Sequence, residues 1–310
     1  MILIILVLNV FLKILIQKKC INLFDRRINK FIIHNRLLKH SFPYFFLLIL
    51  VCFSCNKEEE IPSFIEINEI NLTSNSSFGE DTENITDIWI YIDENLQGVY
   101  EIPATFPVLN KGLQNIRIKA GVKANGIAST RIQYPFYTSY FDTVELVENE
   151  TINISPSFSY NSSFDAIVED FESSGTIIDS TINSEIDFTV QQNNGNQYGY
   201  ALIEDPNINF EISTQELILP QQGAPVYLEL DYSSSTEFLV GMYINYSQDV
   251  VRRDLLWVTP KQEWNKIYIN LTQTVSESIG AESFKVFLNM RRNEPSLSEE
   301  INFDNIKILY

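Results

Sequence analysis

Apolar and polar residues alternate with a period of two along most of the chain after residue 63. The clearest alternating segments are 88–92, 116–120, 227–231, 266–271 and 284–289. Such alternation is typical of strands with one buried face, and turn signals rich in Asn and Gly separate the segments. Helical spacing is confined to residues 274–284. The pattern predicts an all-β chain built from antiparallel sheets.

A polar stretch at residues 155–163, rich in Ser and Asn, divides the predicted strands into two groups. We therefore predict two β-sandwich domains, a small one over residues 64–157 and a jelly roll over residues 164–310. A chain of this length can bury two separate cores.

The amino-terminal residues differ from the rest of the chain. Residues 1–16 and 42–53 are apolar, and the stretch between them is basic. The second apolar run follows basic residues and ends beside Cys55. This arrangement is typical of a secretory signal peptide, and the run is too short for a membrane-spanning helix. We interpret residues 1–54 as a leader. Residues 1–35 are either an overextended start or the site of a first membrane helix.

The leader ends in a motif that is typical of lipid attachment. Cys52-Phe53-Ser54-Cys55 resembles the lipobox of bacterial lipoproteins, in which a small residue precedes the lipidated cysteine. No cysteine follows Cys55, and a lone cysteine retained by an exported chain requires a role. The next five residues, Asn56-Lys57-Glu58-Glu59-Glu60, resemble the surface-export signal of Bacteroidota lipoproteins. These resemblances imply a covalent lipid on Cys55, a tether over residues 55–63, and a lipid-anchored position in the outer membrane, exposed at the cell surface.

The charge and the histidine content of the chain exclude several classes of function. It has 40 Asp or Glu residues against 22 Lys or Arg, a formal net charge of -18. Removal of residues 1–54 takes away eight bases and one acid, leaving 14 bases, 39 acids and a net charge of -25. This balance argues against a nucleic-acid partner, because phosphate contacts need a basic surface. No histidine follows His40, so Ser-His-Asp catalysis and histidine-ligated zinc are excluded from the predicted domains.

The small predicted domain carries a short surface-module pattern. Tyr91-Ile92-Asp93, Gly98, Pro103 and Gly112 precede a long alternating segment at residues 116–122. This order resembles a PEGA-type module, which implies a spacer or interaction role. An aromatic cluster over residues 134–141 follows, and we interpret it as packing between the two domains rather than as a contact patch.

The second predicted domain opens with acids at residues 168–173, has a central strand with Trp264, and closes with Phe303-Asp304-Asn305. These three pieces resemble the jelly-roll carbohydrate-binding modules, a plan shared by galactose-binding-like domains. The resemblance implies a structural calcium ion where the first and last strands meet. Calcium binds six to eight oxygens, so a few carboxylates suffice. The implied ligands are Asp170 (or its neighbour Glu169), Glu172 and Asp304; the alternative is that these acids face solvent.

A possible catalytic strand is incomplete. Glu185-Ile186-Asp187-Phe188 resembles the catalytic strand of laminarinase-type glycosidases, which presents three carboxylates on one face. The third acid should follow Asp187 by two or three residues, but Thr189, Val190 and Gln191 occupy these positions. Without a proton donor the leaving group cannot be protonated. We therefore predict that the protein is not an enzyme.

The leading hypothesis is a non-catalytic glycan-binding lipoprotein. Rings of Tyr and Trp stack on sugar C–H faces, and planar Arg donates to hydroxyls. The predicted ligand contacts are Tyr198, Tyr200, Trp257 and Arg291, with Arg252 as a weaker candidate. We predict that Trp264 is buried, because it opens a strand that carries Ile267 and Ile269. The alternative hypothesis is a structural or accessory subunit of an outer-membrane protein complex, with no small ligand.

Overall fold

The computed structural model describes residues 60–74, 77–294 and 297–310. The leader, Cys55 and the tether as far as residue 59 lie outside the described residues, and the expectations about them remain predictions. Residues 61–310 form one compact unit. Within the described ranges, no helix has the length and apolar character needed to cross a membrane.

The described residues form almost entirely β-structure. In chain order the strands are β1 (Ser63–Ile67), β2 (Asn71–Thr73), β3 (Asp87–Ile92), β4 (Asn95–Glu101), β5 (Ala104–Val108), β6 (Gly112–Lys123), β7 (Arg131–Gln133), β8 (Tyr140–Leu146), β9 (Thr151–Asn153), β10 (Ser157–Ser159), β11 (Ala166–Glu169), β12 (Ile178–Ser180), β13 (Thr189–Asn193), β14 (Asn196–Ile203), β15 (Asn209–Thr214), β16 (Tyr227–Ser234), β17 (Phe238–Asn245), β18 (Val250–Val258), β19 (Lys261–Asn270), β20 (Ser283–Arg291) and β21 (Glu299–Leu309). A short helix, α1 (Thr272–Glu277), joins β19 to β20. The predicted all-β fold is confirmed.

Strands β1 to β10 form the amino-terminal sandwich. Its largest sheet has the strand order β4-β3-β6-β7, with β8 also paired to β6, and two smaller sheets have the orders β5-β1-β9 and β10-β2. Ile88, Ile90 and Ile92 of β3 are fully buried, and Trp89 and Tyr91 lie on the opposite face. The period-two pattern of the sequence therefore separates a core face from an outer face here.

Strands β11 to β21 form the carboxy-terminal sandwich from two antiparallel sheets. The front sheet has the order β13-β14-β21-β16-β19, with β11 beside β21, and the back sheet has the order β12-β15-β20-β17-β18. The core between the sheets includes Phe210, Leu230, Phe238, Ile267 and Phe303. Two facing sheets of this kind are the sandwich architecture that the sequence predicts.

Aromatic residues of the amino-terminal sandwich pack against the outer face of the front sheet. The Tyr134 ring meets Tyr227 and Tyr268 edge to face, with centroid distances of 5.5 and 4.8 Å. The packing role predicted for the aromatic cluster is thus confirmed for Tyr134, whereas Phe141 is 67% exposed. The two sandwiches share this buried contact and belong to one compact unit. The structure therefore does not separate two domains at residues 155–163, and that domain boundary stays a prediction.

A buried polar network accompanies the aromatic contact. Glu229 of β16 is fully buried and accepts hydrogen bonds from the hydroxyls of Tyr134 and Tyr160, each at 2.7 Å. Its carboxylate also lies 3.0 Å from the Lys266 ammonium. Burial opposes the charge of Lys266, but Glu229 and the nearby Asp231 raise the pKa of that lysine. The network satisfies groups that would otherwise be costly to bury.

The segment at residues 78–84 extends this contact across the front sheet. Its Glu80 carbonyl accepts a hydrogen bond from the Lys307 ammonium at 2.7 Å, and its Asn84 N–H donates to the Tyr268 hydroxyl at 2.9 Å. Burial lowers the pKa of Lys307 to about 8. The segment is therefore held by β19 and β21, two strands of the front sheet that are separated by β16.

Candidate functional site

Two tyrosines predicted as ligand contacts share the outer face of the front sheet. Along β14, Gly199 and Ala201 are buried toward the core, while Tyr198 and Tyr200 are partly exposed on the other face. Gly199 makes room for the Phe303 ring, because an added Cβ would lie 2.2 Å from a Phe303 ring carbon. The close approach of β14 to the core therefore fixes both tyrosines on the outer face.

Trp264 lies on the same outer face, and the prediction that it is buried was wrong. Its side chain is 49% exposed. The physical reason is strand parity: Ile267 and Ile269 point into the core, and Trp264 is three residues before Ile267, which places it on the opposite face with Lys266. The polar residue at 266 was the sequence signal that could have revealed this orientation.

Tyr198 and Trp264 form an aromatic pair across the outer face. Their ring centroids are 5.5 Å apart with an interplanar angle of 84°. Their strands, β14 and β19, are separated by β21 and β16, a distance of about 14 Å at ordinary strand spacing. The two side chains must therefore reach toward each other over the two central strands.

The central strands contribute polar residues between the members of the aromatic pair. Asp231 is directly opposite Asp304, and Ser233 is opposite Asn302, in the pairing of β16 with β21. The Asn302 amide donates to the Ser233 hydroxyl at 2.9 Å. We call Asp231, Ser233, Asn302 and Asp304 the acceptor floor, because hydrogen-bond acceptors dominate it.

Two oxygens, one in the acceptor floor and one beside it, lack a hydrogen-bond partner. Asn196 donates from its amide nitrogen to Asp304 at 2.9 Å. Its amide oxygen, and the Oδ2 atom of Asp231, are buried without a partner in the described part of the chain. Burial raises the pKa of Asp304 to about 7, hydrogen bonds from Asn196 and the Asn305 N–H oppose this rise, and the charges of Glu80 and Asp231 add to it. The outer face of the front sheet thus contains buried oxygens with unused hydrogen-bonding capacity.

The rim of the aromatic pair is acidic. The Tyr200 hydroxyl donates to Glu300 at 3.3 Å, and Glu172 accepts from the Gln197 N–H at 2.7 Å. Burial, followed by the charge of Glu300, raises the pKa of Tyr200. Tyr200 therefore remains a neutral hydroxyl at physiological pH.

The other predicted ligand contacts belong to the back sheet. Trp257 lies on β18, where it is 55% exposed, and Arg291 ends β20 opposite Asn209 of β15. The structure therefore does not bring these two residues together with Tyr198 and Tyr200. The weaker candidate, Arg252, is bound by Glu211 at 2.5 Å and by Asp254 at 3.0 Å.

The acids predicted to bind calcium have hydrogen-bond partners within the protein. Asp170 accepts from the Glu172 N–H at 3.2 Å, and Glu172 accepts from Gln197, whereas Asp304 lies in the acceptor floor. In the described ranges, no three His, Cys, Asp or Glu residues are grouped so that they could hold a metal ion. Calcium at Asp170, Glu172 and Asp304 stays a prediction of the sequence.

The segment that resembles a glycosidase strand is not a strand. Glu185 lies in a bend and Asp187 in an irregular segment, both before β13, and Glu185 accepts hydrogen bonds from the N–H groups of Ile208 and Asn209 at 2.5 and 3.3 Å. The Glu185 carboxylate therefore has a structural role in holding the turn before β15.

No protein-family model and no curated protein sequence matches this chain. About half of the chain is similar in structure to β-sandwich carbohydrate-binding modules. The CBM22-2 xylan-binding domain from Paenibacillus barcinonensis aligns at 12% identity over 46% of this chain and 97% of that domain, with a TM-score of 0.33. The family 11 module from Clostridium thermocellum, solved with a beta-1,3-1,4-mixed-linked tetrasaccharide, aligns at 11% identity over 48% of this chain and 89% of its own, with a TM-score of 0.30.

An enzyme domain aligns equally well. The enzymatically active domain of tailspike protein 4 from bacteriophage CBA120 aligns at 12% identity over 48% of this chain and 20% of its own, with a TM-score of 0.31. At these identities and TM-scores, the similarity assigns neither a ligand nor an activity to the chain.

Proposed function

We propose that the protein is a non-catalytic glycan-binding protein, and that the aromatic pair with its acceptor floor is the binding site. The observation that carries this proposal is the contact of Tyr198 with a half-exposed Trp264 across a polar floor. Rigid aromatic rings offer a flat surface to the C–H faces of sugars at a low cost in conformational entropy. Tyr200 extends this surface along β14.

The polar atoms of the site suit the hydroxyl groups of a neutral glycan. Sugar hydroxyls donate hydrogen bonds, and the exposed carboxylate of Glu300 beside Tyr200 is an accessible acceptor for them. The acidic rim, which includes Glu172 and Glu300, disfavours anionic sugars there. We expect affinities in the micromolar to millimolar range, because one aromatic pair offers a small and hydrated contact.

Calorimetric titration of the full-length protein in detergent tests the proposal, after neutral polysaccharides have been screened by pull-down. Trp264→Ala and Tyr198→Ala should each weaken binding about tenfold, equivalent to about 1.4 kcal/mol. Phe141→Ala removes an exposed aromatic ring from the amino-terminal sandwich and should leave binding unchanged. Unaltered binding by Trp264→Ala, or no binding to any polysaccharide, would contradict the proposal.

We further propose that a lipid on Cys55 anchors the protein in the outer membrane with its sandwiches at the cell surface. The support is the lipobox-like motif alone. Stable anchoring requires more than one acyl chain, and the modification of such a cysteine supplies several. Cys55→Ala should move the protein into the soluble fraction. Retention of that variant in the membrane would reject the lipid as the anchor.

One observation favours the second candidate, an accessory subunit of an outer-membrane protein complex. The outer face of the β4-β3-β6 sheet, together with β8, carries apolar side chains in contact with solvent. Leu113 is 72% exposed, Phe141 is 67% exposed, and Leu96 is 50% exposed. Exposed apolar patches commonly mark protein interaction sites. Cross-linking in intact cells should yield a specific adduct that the Leu113→Ser/Phe141→Ser variant loses.

A further inference from the structure

A cavity of about 440 Å³ lies where the amino-terminal sandwich meets the edge of the carboxy-terminal sandwich. One wall consists of residues around Asn84 and the turn at Lys123–Ile127, from the amino-terminal sandwich. The other wall is formed by the end of β18, which includes Trp257, and by β19 from Lys261 to Tyr268. This volume is within the range of cavities that bind small ligands. The cavity is separate from the aromatic pair, neither member of which lines it.

The charge of this cavity is opposite to that of the chain. Its lining contains Lys123, Lys261 and Lys266 but no Asp or Glu. The ammonium of Lys266 is already paired with Glu229 at 3.0 Å and Asp231 at 3.5 Å. In the part of the chain that the structure describes, Lys123 and Lys261 form no salt bridge. Lys123 and Lys261 lie on opposite walls of a lining that contains no acid, and the nearest acid that responds to Lys123 is the exposed Glu101 outside this lining. The two lysines therefore make a local positive site on a chain with 40 acids and 22 bases.

The lining also offers an aromatic surface and side-chain amides. Trp257 is 55% exposed, so its indole is accessible at the cavity. The amide oxygen of Asn125 accepts from the Asn270 N–H at 2.8 Å, which leaves its NH₂ group as a donor. Asn84 and Asn265 donate from their amides to the Lys266 carbonyl, at 2.8 and 3.3 Å, and their oxygens remain as acceptors.

Contacts between the turn at Lys123–Ile127 and β19 order the walls of the cavity. The Asn125 N–H donates to the Tyr268 carbonyl at 2.7 Å, which attaches the turn directly to β19. Gly126 has a φ of +67°, and an added Cβ would lie 3.1 Å from the Cδ1 atom of Ile267. The turn therefore needs glycine at this position for both its conformation and its close approach. A site whose walls are already ordered loses little entropy when a ligand binds.

We propose that this cavity is a second binding site, which takes a short saccharide bearing a carboxylate. The carboxylate binds between Lys123 and Lys261, a sugar ring stacks on Trp257, and the amides of Asn84, Asn125 and Asn265 exchange hydrogen bonds with the hydroxyls. The volume admits one or two rings. The ligand is either a free acidic oligosaccharide or the end of a longer acidic chain. This site selects the anionic sugars that the acidic rim of the aromatic pair disfavours.

Calorimetry with the full-length protein tests the proposal, using digalacturonate and the neutral disaccharide of the same linkage. We expect the acidic disaccharide to bind at least tenfold more tightly than the neutral one. Lys123→Gln/Lys261→Gln should abolish this preference, and Trp257→Ala should weaken binding of the acidic disaccharide at least fivefold. Lys285→Gln removes a positive charge from the back sheet, outside the cavity lining, and should have no effect. Thermal melts establish that each variant is folded.

Two results would overturn the proposal: equal or undetectable binding of both disaccharides, or an acid preference that survives loss of both lysines. Trp264→Ala separates this site from the aromatic pair, because it should weaken binding of neutral polysaccharides and leave digalacturonate binding intact. Loss of digalacturonate binding in Trp264→Ala would place the acidic sugar at the aromatic pair and reject the cavity. A competition experiment with polygalacturonate distinguishes the two possible sources of the ligand. Competition with digalacturonate indicates that chain ends enter the cavity, and absence of competition indicates that the site takes free oligosaccharides.

Discussion

The outer faces of the two sandwiches both carry accessible aromatic residues, but the polar atoms beside those residues are of opposite kinds. On the amino-terminal sandwich, the Nε1 group of Trp89 and the Nε group of Arg117 are donors that lack a partner in the described residues. On the front sheet, the unpartnered atoms are the oxygens of Asn196 and Asp231. Aromatic residues therefore do not define a ligand by themselves; the hydrogen-bonding groups beside them decide what can bind.

The two faces also differ in how firmly their polar groups are held. Arg117 lies over the Tyr91 ring at 4.4 Å and pairs with Glu94, whose side chain is 69% exposed. Asp231 and Asp304 of the acceptor floor are only 7% and 3% exposed. A buried group responds strongly to substitution and to pH, while an exposed group is screened by solvent. Substitutions at the two faces should therefore differ in size.

The largest expected effect is the loss of stability caused by disrupting the buried Glu229 network, which lies between the front sheet and the amino-terminal sandwich. Glu229→Ala leaves Lys266 and the hydroxyls of Tyr134 and Tyr160 without their shared acceptor. Breaking a buried pair in this way typically costs about 3–5 kcal/mol of stability. Chemical denaturation of the full-length protein measures this loss. The matched control is Glu94→Ala, which removes the exposed partner of Arg117 and should cost less than about 1 kcal/mol. Equal losses in the two variants would show that the faces do not differ as described.

The second effect is a pH dependence of stability that Asp304 of the acceptor floor should produce. The pKa of Asp304 rises from its ordinary value of 3.8 to about 7 in the folded protein. The folded state therefore binds this proton more tightly than the unfolded state, and its contribution to stability is lost as pH rises from about 4 to about 7. The loss should be about 2 kcal/mol after allowance for solvent screening.

Denaturation curves across this pH range measure the slope of stability against pH. Asp304→Asn should make the downward slope between pH 4 and 7 clearly shallower than in the wild type, whatever its effect on absolute stability. Asp170 is less buried than Asp304. Asp170→Asn should therefore leave the slope of stability against pH unchanged. A wild-type profile that shows no decline over this range would contradict the assignment to Asp304.

A smaller effect should come from the aromatic pair itself. A double-mutant cycle with Tyr198→Ala and Trp264→Ala should give a coupling of about 0.5–1.5 kcal/mol in stability, the usual range for edge-to-face rings. The control cycle joins Trp264→Ala to Phe141→Ala on the other sandwich, where the coupling should be close to zero. Additive effects of Tyr198→Ala and Trp264→Ala would mean that the two rings do not stabilise each other in solution.

The smallest effect is expected on the outer face of the amino-terminal sandwich. Leu113→Ser and Phe141→Ser remove side chains that are already largely in solvent, so each should change stability by no more than about 0.5 kcal/mol. Thermal melts of the two variants check this expectation. A loss well above 1 kcal/mol in either would indicate that the face is covered, and would remove the contrast with the front sheet.

Local periodicity predicted the strands well, because alternation is a property of neighbouring residues. The spacing of Tyr198 and Tyr200 places both on one face of any strand, and β14 has this arrangement. The same rule places Trp264 on the outer face, because Trp264 and Lys266 are two residues apart and Ile267 and Ile269 face the core. The prediction that Trp264 is buried was wrong because it did not take into account that Trp264 is an odd number of residues away from Ile267.

The remaining features depend on contacts between residues that are far apart in sequence. The Asn84 N–H binds the Tyr268 hydroxyl across 184 residues, and Tyr134 reaches Glu229 across 95. No local pattern marks either contact, so the segment at residues 78–84 and the cavity beside Trp257 could not be anticipated. The acceptor floor likewise arises where two strands from distant parts of the chain pair.

The position of β21 in the middle of the front sheet has a consequence for biosynthesis. This strand pairs with β14 on one side and β16 on the other, and it is the last strand in chain order. On the ribosome, β14 and β16 therefore emerge long before the strand that joins them. A chain that is stalled or cut before residue 299 presents two unpaired strand edges, which are prone to association with other chains. Folding of the front sheet must then wait until β21 is available, and a chain that is cut before residue 299 should yield aggregates rather than partly active protein.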